Sequence, residues 1–179
     1  VYAVYHGILG HTIEIPEGNE ESYKAGRNAV LGGIDFLNQD PDRLLEMRLN
    51  FYLRGLNKTE DPKAENELVG PNGEIVGRVK NGRPKFFPDY YVIPMSLDKD
   101  NDAQEAFNMI DYFKRNGVLV KELKEDIGNY KKGDLVIDMA QAKRGYANHI
   151  LYKGSNESAW AAMYAELLVN FPDMRGFKS

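Results

Sequence analysis

From Tyr90 onward the chain alternates short β-type runs with helical stripes, and this rhythm restricts the fold more than any other feature. Tyr90-Tyr91-Val92-Ile93-Pro94 is rich in aromatic and β-branched side chains and stopped by proline, which predicts a short buried strand. Asp102 with Glu105 forms a capping-box pattern that opens a helix striped by Ala106, Phe107, Ile110 and Phe113. Asn116-Gly117 closes that helix, and Val118-Leu119-Val120 begins the next predicted strand. Tyr130-Lys131-Lys132-Gly133-Asp134 turns into Leu135-Val136-Ile137, and a helix follows over roughly Gln141 to Leu151. Ser155 or Asn156 then caps a last helix carrying Trp160, Met163, Tyr164 and Leu167. Strand–helix–strand order predicts an α/β fold, a small three-layer domain over residues 89–179 with some parallel pairing.

The earlier part reads differently. His11-Thr12-Ile13-Glu14-Ile15-Pro16 alternates apolar and polar residues with the period of a half-buried strand, stopped by Pro16. Asn19 is the expected N-cap of a helix running to about Asn38, with Val30, Ile34 and Leu37 at helical spacing. Gly32-Gly33 suggests close packing of that helix on a sheet. Asp40-Pro41 restarts a second, strongly apolar helix. Breaker-rich Lys58 to Asn66 places a boundary, so residues 1–56 form one part and residues 57–88 a linker. Within the linker, Pro71-Asn72-Gly73-Glu74 and Asn81-Gly82 are hairpin turns flanking Ile75 to Val79, which predicts a β-ribbon.

Composition narrows the classes of function. Hydrophobic residues are 42% and charged residues 28%, ordinary for a globular chain. A net charge of −4 offers no footprint for nucleic acid or for an anionic membrane. No apolar run approaches the ~20 residues that a spanning helix needs. The chain has no cysteine, which removes disulfides, thiolate metal sites and cysteine nucleophiles together.

His11 and Glu14 spell His-x-x-Glu, a spacing that invites a zinc reading. On a strand, however, Thr12 and Glu14 face one way while His11, Ile13 and Ile15 face the other, so the two cannot readily grip one ion. What the strand does offer is a carboxylate at its end, flanked by apolar residues and suited to shuttling a proton.

Gly7-Ile8-Leu9-Gly10-His11-Thr12-Ile13-Glu14-Ile15-Pro16, with Asn19-Glu20-Glu21 and Ala29-Val30-Leu31-Gly32 after it, resembles the end of a zinc carboxypeptidase catalytic domain. That family carries a Thr-x-Glu on a late strand of its mixed sheet. The resemblance implies that Glu14 is the catalytic glutamate and not a zinc ligand, with Thr12 on the same face against the substrate. Val136 to Asn148 and Asn170 to Phe177 resemble the tail of bacterial members with an added C-terminal domain. That accessory part looks like a class I amidotransferase-like domain, whose nucleophilic cysteine this chain lacks. The family's zinc ligands and its pocket for the substrate's terminal carboxylate lie upstream of the catalytic glutamate, where this chain has only a short stretch. The expectation is therefore a C-terminal portion of a larger zinc metallocarboxypeptidase, inactive alone and binding no zinc by itself. Peptides or cell-wall peptides are the substrates the resemblance implies and the upstream catalytic segment is the partner; the sequence leaves the compartment open, with secretion or the cell envelope suspected for the intact enzyme. Neither nucleic acid nor membrane is expected as a partner.

Other residues have plainer readings. His11, Glu14 and His149 could together make a zinc triad, but no glutamate then follows in position to act as base, and Glu166 sits in an apolar stretch. Lys143-Arg144 with Tyr146 reads as a solvated helix end, and Trp160, Met163 and Tyr164 read as core. Tyr5 and Tyr23 are close to Glu14 in sequence without a spacing that assigns either a role. The competing reading is a non-catalytic α/β interaction module, which would fold and bind with no use for Glu14.

Overall fold

The structure is a computed structural model that describes residues 2–10, 13–15, 17–60, 68–69, 75–77, 87–96, 101–152, 155–156, 167–168 and 171–179. At residues 68–69, 75–77, 155–156 and 167–168 the backbone alone is described. Helices and strands mix, and the chain divides into two compact units, Val1–Leu53 and Arg54–Ser179.

In the first unit a single 3₁₀ turn at Val4–His6 precedes two helices, α1 (Glu20–Gln39) and α2 (Pro41–Leu56), whose last residues belong to the second unit. Asn19 caps α1 as its side chain predicts, Oδ1 accepting from the Ser22 N–H at 2.9 Å. Glu20 and Glu21 complement the positive end of the helix dipole, and Lys24 reaches back to both at 3.1 Å. Asp40 does the same for α2, accepting from the Arg43 N–H at 2.9 Å ahead of Pro41. The Tyr52 hydroxyl donates to the His6 carbonyl at 2.7 Å and fastens the 3₁₀ turn to α2. None of the described residues of this unit is buried, and Val30, Ile34, Phe36 and Leu37 all stay exposed.

Ile13–Ile15 take no regular structure, so the strand expected from the alternation is not formed there. His11, Thr12 and Pro16 lie outside the described residues. Alternation alone cannot make a strand, because its N–H and C=O groups need a ladder partner. Among the described residues of this unit there is no other strand to provide one.

The second unit is built on a three-stranded antiparallel sheet, in spatial order Tyr90–Ile93, Leu135–Asp138 and Lys121–Glu122. Preceding it, β1 (Leu68–Val69) and β2 (Ile75–Gly77) pair antiparallel as the expected ribbon, while the turn residues 71–74 and 81–82 lie outside the described ones. Strand β3 (Tyr90–Ile93) pairs along its whole length with β5 (Leu135–Asp138), Tyr91 opposite Ile137 and Ile93 opposite Leu135. The short β4 (Lys121–Glu122) pairs with the other edge of β5. Every pairing among the described strands is antiparallel, which corrects the expectation of parallel strands.

Helix α3 (Ala103–Arg115) begins at Asp102, whose Oδ1 accepts from the Gln104 and Glu105 N–H groups at 3.0 Å each. Its buried stripe is Ala106, Met109, Ile110 and Phe113, at i, i+3, i+4 and i+7, while Phe107 points away and is 60% exposed. Gly117 ends the helix at φ +78°, a left-handed conformation that an L side chain resists. Helix α4 (Arg144–Leu151) contributes Tyr146, Ala147, Ile150 and Leu151 to the core, where they join Ile93, Ile137, Met139 and Phe177. At its packed side the Tyr91 hydroxyl donates to Asn148 Oδ1 at 2.9 Å.

Buried polar side chains replace ladder pairs where the strands stop. Val118 is buried but is not in a strand, and the expected strand at 118–120 is displaced to Lys121–Glu122. Gln141, 1% exposed, takes the place of the missing partner. Its Oε1 accepts from the Leu119 N–H at 2.8 Å, and its Nε2 donates to the Leu119 carbonyl at 3.3 Å and to the Asp138 carbonyl at 2.6 Å. Helix α4 starts at Arg144 and not near Gln141. Asn101 works similarly, donating to the Pro94 and Ser96 carbonyls and accepting from the Lys178 N–H at 2.9 Å. Gly55, the one buried residue of α2, lies so close to the Gln141 carbonyl oxygen that a Cβ there would collide with it.

The final stretch departs from its sequence reading. Backbone at β6 (Ser155–Asn156) pairs antiparallel with β7 (Leu167–Leu168), so neither the cap at Ser155 or Asn156 nor Leu167 belongs to a helix. Here ladder pairing overrides the helical spacing. Trp160, Met163, Tyr164 and Glu166 lie outside the described residues. A short helix α5 (Phe171–Arg175), absent from the sequence reading, starts at Pro172 in its first turn.

Candidate functional site

Glu14 stands on the irregular segment between the 3₁₀ turn and α1, and its residue is exposed. Its neighbours divide. Ile13 lines an apolar groove of about 470 Å³ with Leu9, Ala29, Val30, Ile34 and Leu37, and Ile15 lies against Gly26 of α1. A carboxylate on such a segment is open to water. Thr12, expected on the same face, is outside the described residues, as is His11. Tyr5 is partly buried, which pushes its hydroxyl above the ordinary value, whereas Tyr23 is 72% exposed on α1.

Among the described residues no group of three or more histidine, aspartate or glutamate side chains could hold a metal ion. His6 uses its carbonyl to anchor Tyr52 and its ring against Tyr2, 4.5 Å between centroids. In the second unit, partial desolvation lowers the pKa of the His149 ring below the ordinary imidazole value, although the residue as a whole remains exposed.

Sequence reasoning missed Arg144. It was expected on a solvated helix end, yet it is 5% exposed, and its neighbour Tyr146 is 2% exposed. Arg144 Nη2 donates to the Thr59 carbonyl at 2.6 Å, and its guanidinium lies 4.0 Å from the centre of the Phe87 ring. A carbonyl in plane and an aromatic face above are what let a guanidinium leave water. Both partners are far away in sequence, so no local pattern announced the burial. Beside it Lys58 pairs with Asp89 at 3.3 Å.

Asp138 at the end of β5 is held below the ordinary carboxylate value, first by the Ala140 N–H and then by Lys121 at 3.2 Å. Asp126 is lowered by the Lys132 N–H and by Lys131. Both carboxylates are tied into turns, which gives them structural work.

Compared with protein-family models, with curated proteins and with solved structures, the chain shows no match.

Proposed function

We propose that this chain is the C-terminal portion of a zinc-dependent metallocarboxypeptidase and that Glu14 is its catalytic glutamate. The observation that carries this reading is the Gly7 to Pro16 sequence with its Thr-x-Glu, together with the exposure of Glu14 ahead of an Asn19-capped helix. In this reading the first part belongs to the catalytic domain, and the second is an accessory α/β domain. In the intact enzyme zinc would be held by residues outside this chain and would supply the Lewis acid. Glu14 takes a proton from the attacking water and hands it to the leaving amine, while Thr12 contacts the peptide substrate.

The test uses the intact enzyme. Glu14→Gln keeps the shape but removes the base, so turnover should fall by ~10²–10⁴-fold with zinc retained. Thr12→Val should weaken substrate affinity, and His11→Ala should leave chemistry nearly intact. Turnover of Glu14→Gln within a few-fold of the parent, or loss of its zinc, would overturn the assignment.

The alternative, a non-catalytic interaction module, draws on the exposed apolar side chains of α1. It expects partner binding that is indifferent to Glu14→Gln.

A further inference from the structure

The second unit has a cleft of about 340 Å³ where α3, α4 and α5 meet, at the lower end of the ~300–1,000 Å³ typical of small-molecule sites. Its floor is apolar, formed by Met109 at 6% exposure and Ile150 at 3%, with Phe171 on one wall. Polar groups converge above that floor from two helices: Asn108, Tyr112 and Arg115 from α3, and Arg175 from α5.

The hydrogen-bond accounting of that rim is one-sided. Asn108 is tied to its own helix, its Oδ1 accepting from Gln104 and its Nδ2 donating to Glu105 Oε1, each at 3.1 Å. Glu105 Oε2 in turn holds Arg175 through Nη1 at 2.7 Å, which fixes the guanidinium of α5 against α3. Arg115 meets Asp111 through Nη2 at 3.0 Å. Each guanidinium thus engages its carboxylate through one nitrogen, and among the described residues the remaining N–H groups of both forks have no acceptor. The Tyr112 hydroxyl adds a further donor at the same rim. Donors with charge thus remain at this cleft.

From this we infer that the cleft binds a small carboxylate with an apolar body, the carboxylate received by Arg115, Arg175 and Tyr112 and the body seated on Met109, Ile150 and Phe171. An arginine fork suits a planar carboxylate better than a point charge does. An in-chain carboxylate holds one nitrogen of each fork, and the Arg175–Glu105 pair ties α5 to α3.

The site is tested on the whole 179-residue chain, labelled with ¹⁵N and titrated with phenylacetate, phenylacetamide and acetate. Phenylacetate should saturate at millimolar concentration and move the amide signals of Asn108, Tyr112 and Ile150. Phenylacetamide, which lacks the charge, and acetate, which lacks the body, should each bind at least about tenfold more weakly. Arg115→Gln and Arg175→Gln should each weaken phenylacetate about tenfold. Arg175 also bridges two helices, so thermal unfolding is measured alongside; Arg115 pairs only within α3, and its variant decides the matter if Arg175→Gln is destabilised. Absence of saturation, phenylacetamide or acetate binding as tightly as phenylacetate, or unchanged affinity in Arg115→Gln would each overturn the inference.

Discussion

Gln141 shows how much one side chain can hold in this protein. Its amide takes the role of a strand, bonding both backbone groups of Leu119 and the carbonyl of Asp138 from a nearly sealed position. Gln141→Leu preserves bulk but strands those groups, and each buried orphan costs ~1–3 kcal/mol. Denaturant unfolding should show the loss as a shifted midpoint with an unchanged slope. A second residue-scale effect follows from His149. Its folded-state pKa lies below the ordinary value of 6.5, so the unfolded chain binds the proton more readily. The contribution is fully present above pH 6.5 and is lost as pH falls through the lowered value. Asp138, lowered from 3.8, adds a separate loss at more acid pH as its carboxylate is protonated. Thermal midpoints recorded from neutral pH downward should fall in two stages, and His149→Gln should flatten the first.

At the scale of elements, caps were readable and partners were not. Asn19, Asp40 and Asp102 each start a helix because a short polar side chain satisfies N–H groups within three residues of itself. Asp102→Ala should therefore cost ~0.5–2 kcal/mol, read as a lower melting temperature of the second unit. The strand at Tyr90–Ile93 and the helix stripe of α3 were equally legible, since they rest on local spacing. What sequence could not supply was pairing. Ile13 to Ile15 alternate like a strand and lack a partner among the described residues; Val118 to Val120 look like one and receive a glutamine instead. Leu167 carried helical spacing and lies in a ladder with Asn156. At the candidate sites the same division holds. Glu14 could be singled out from its neighbours in sequence, whereas the burial of Arg144 depends on Thr59 and Phe87, and the cleft depends on Arg175 meeting Glu105 across a long separation.

For the molecule as a whole, the two units differ in how they exclude water. The second has a continuous core from Ile93 through Phe113 to Leu151; the first has no buried residue among those described. Protection against hydrogen exchange follows burial and cooperative opening, so amides of β5, α3 and α4 should exchange far more slowly than those of α1. Exchange followed by mass spectrometry on the intact chain checks the ranking, and equal rates in α1 and α3 would contradict it. Strand β4 has a consequence for molecules in company. A sheet margin is a template onto which another chain can add, and exposed margins of apolar strands seed fibrils. This margin is two residues long, Lys121 and Glu122, both exposed, with Lys121 drawn to Asp138 and Glu122 to Lys124. An incoming strand would have to desolvate those charges for very few backbone bonds. At high concentration, that side of the sheet gives a second copy too little to build on.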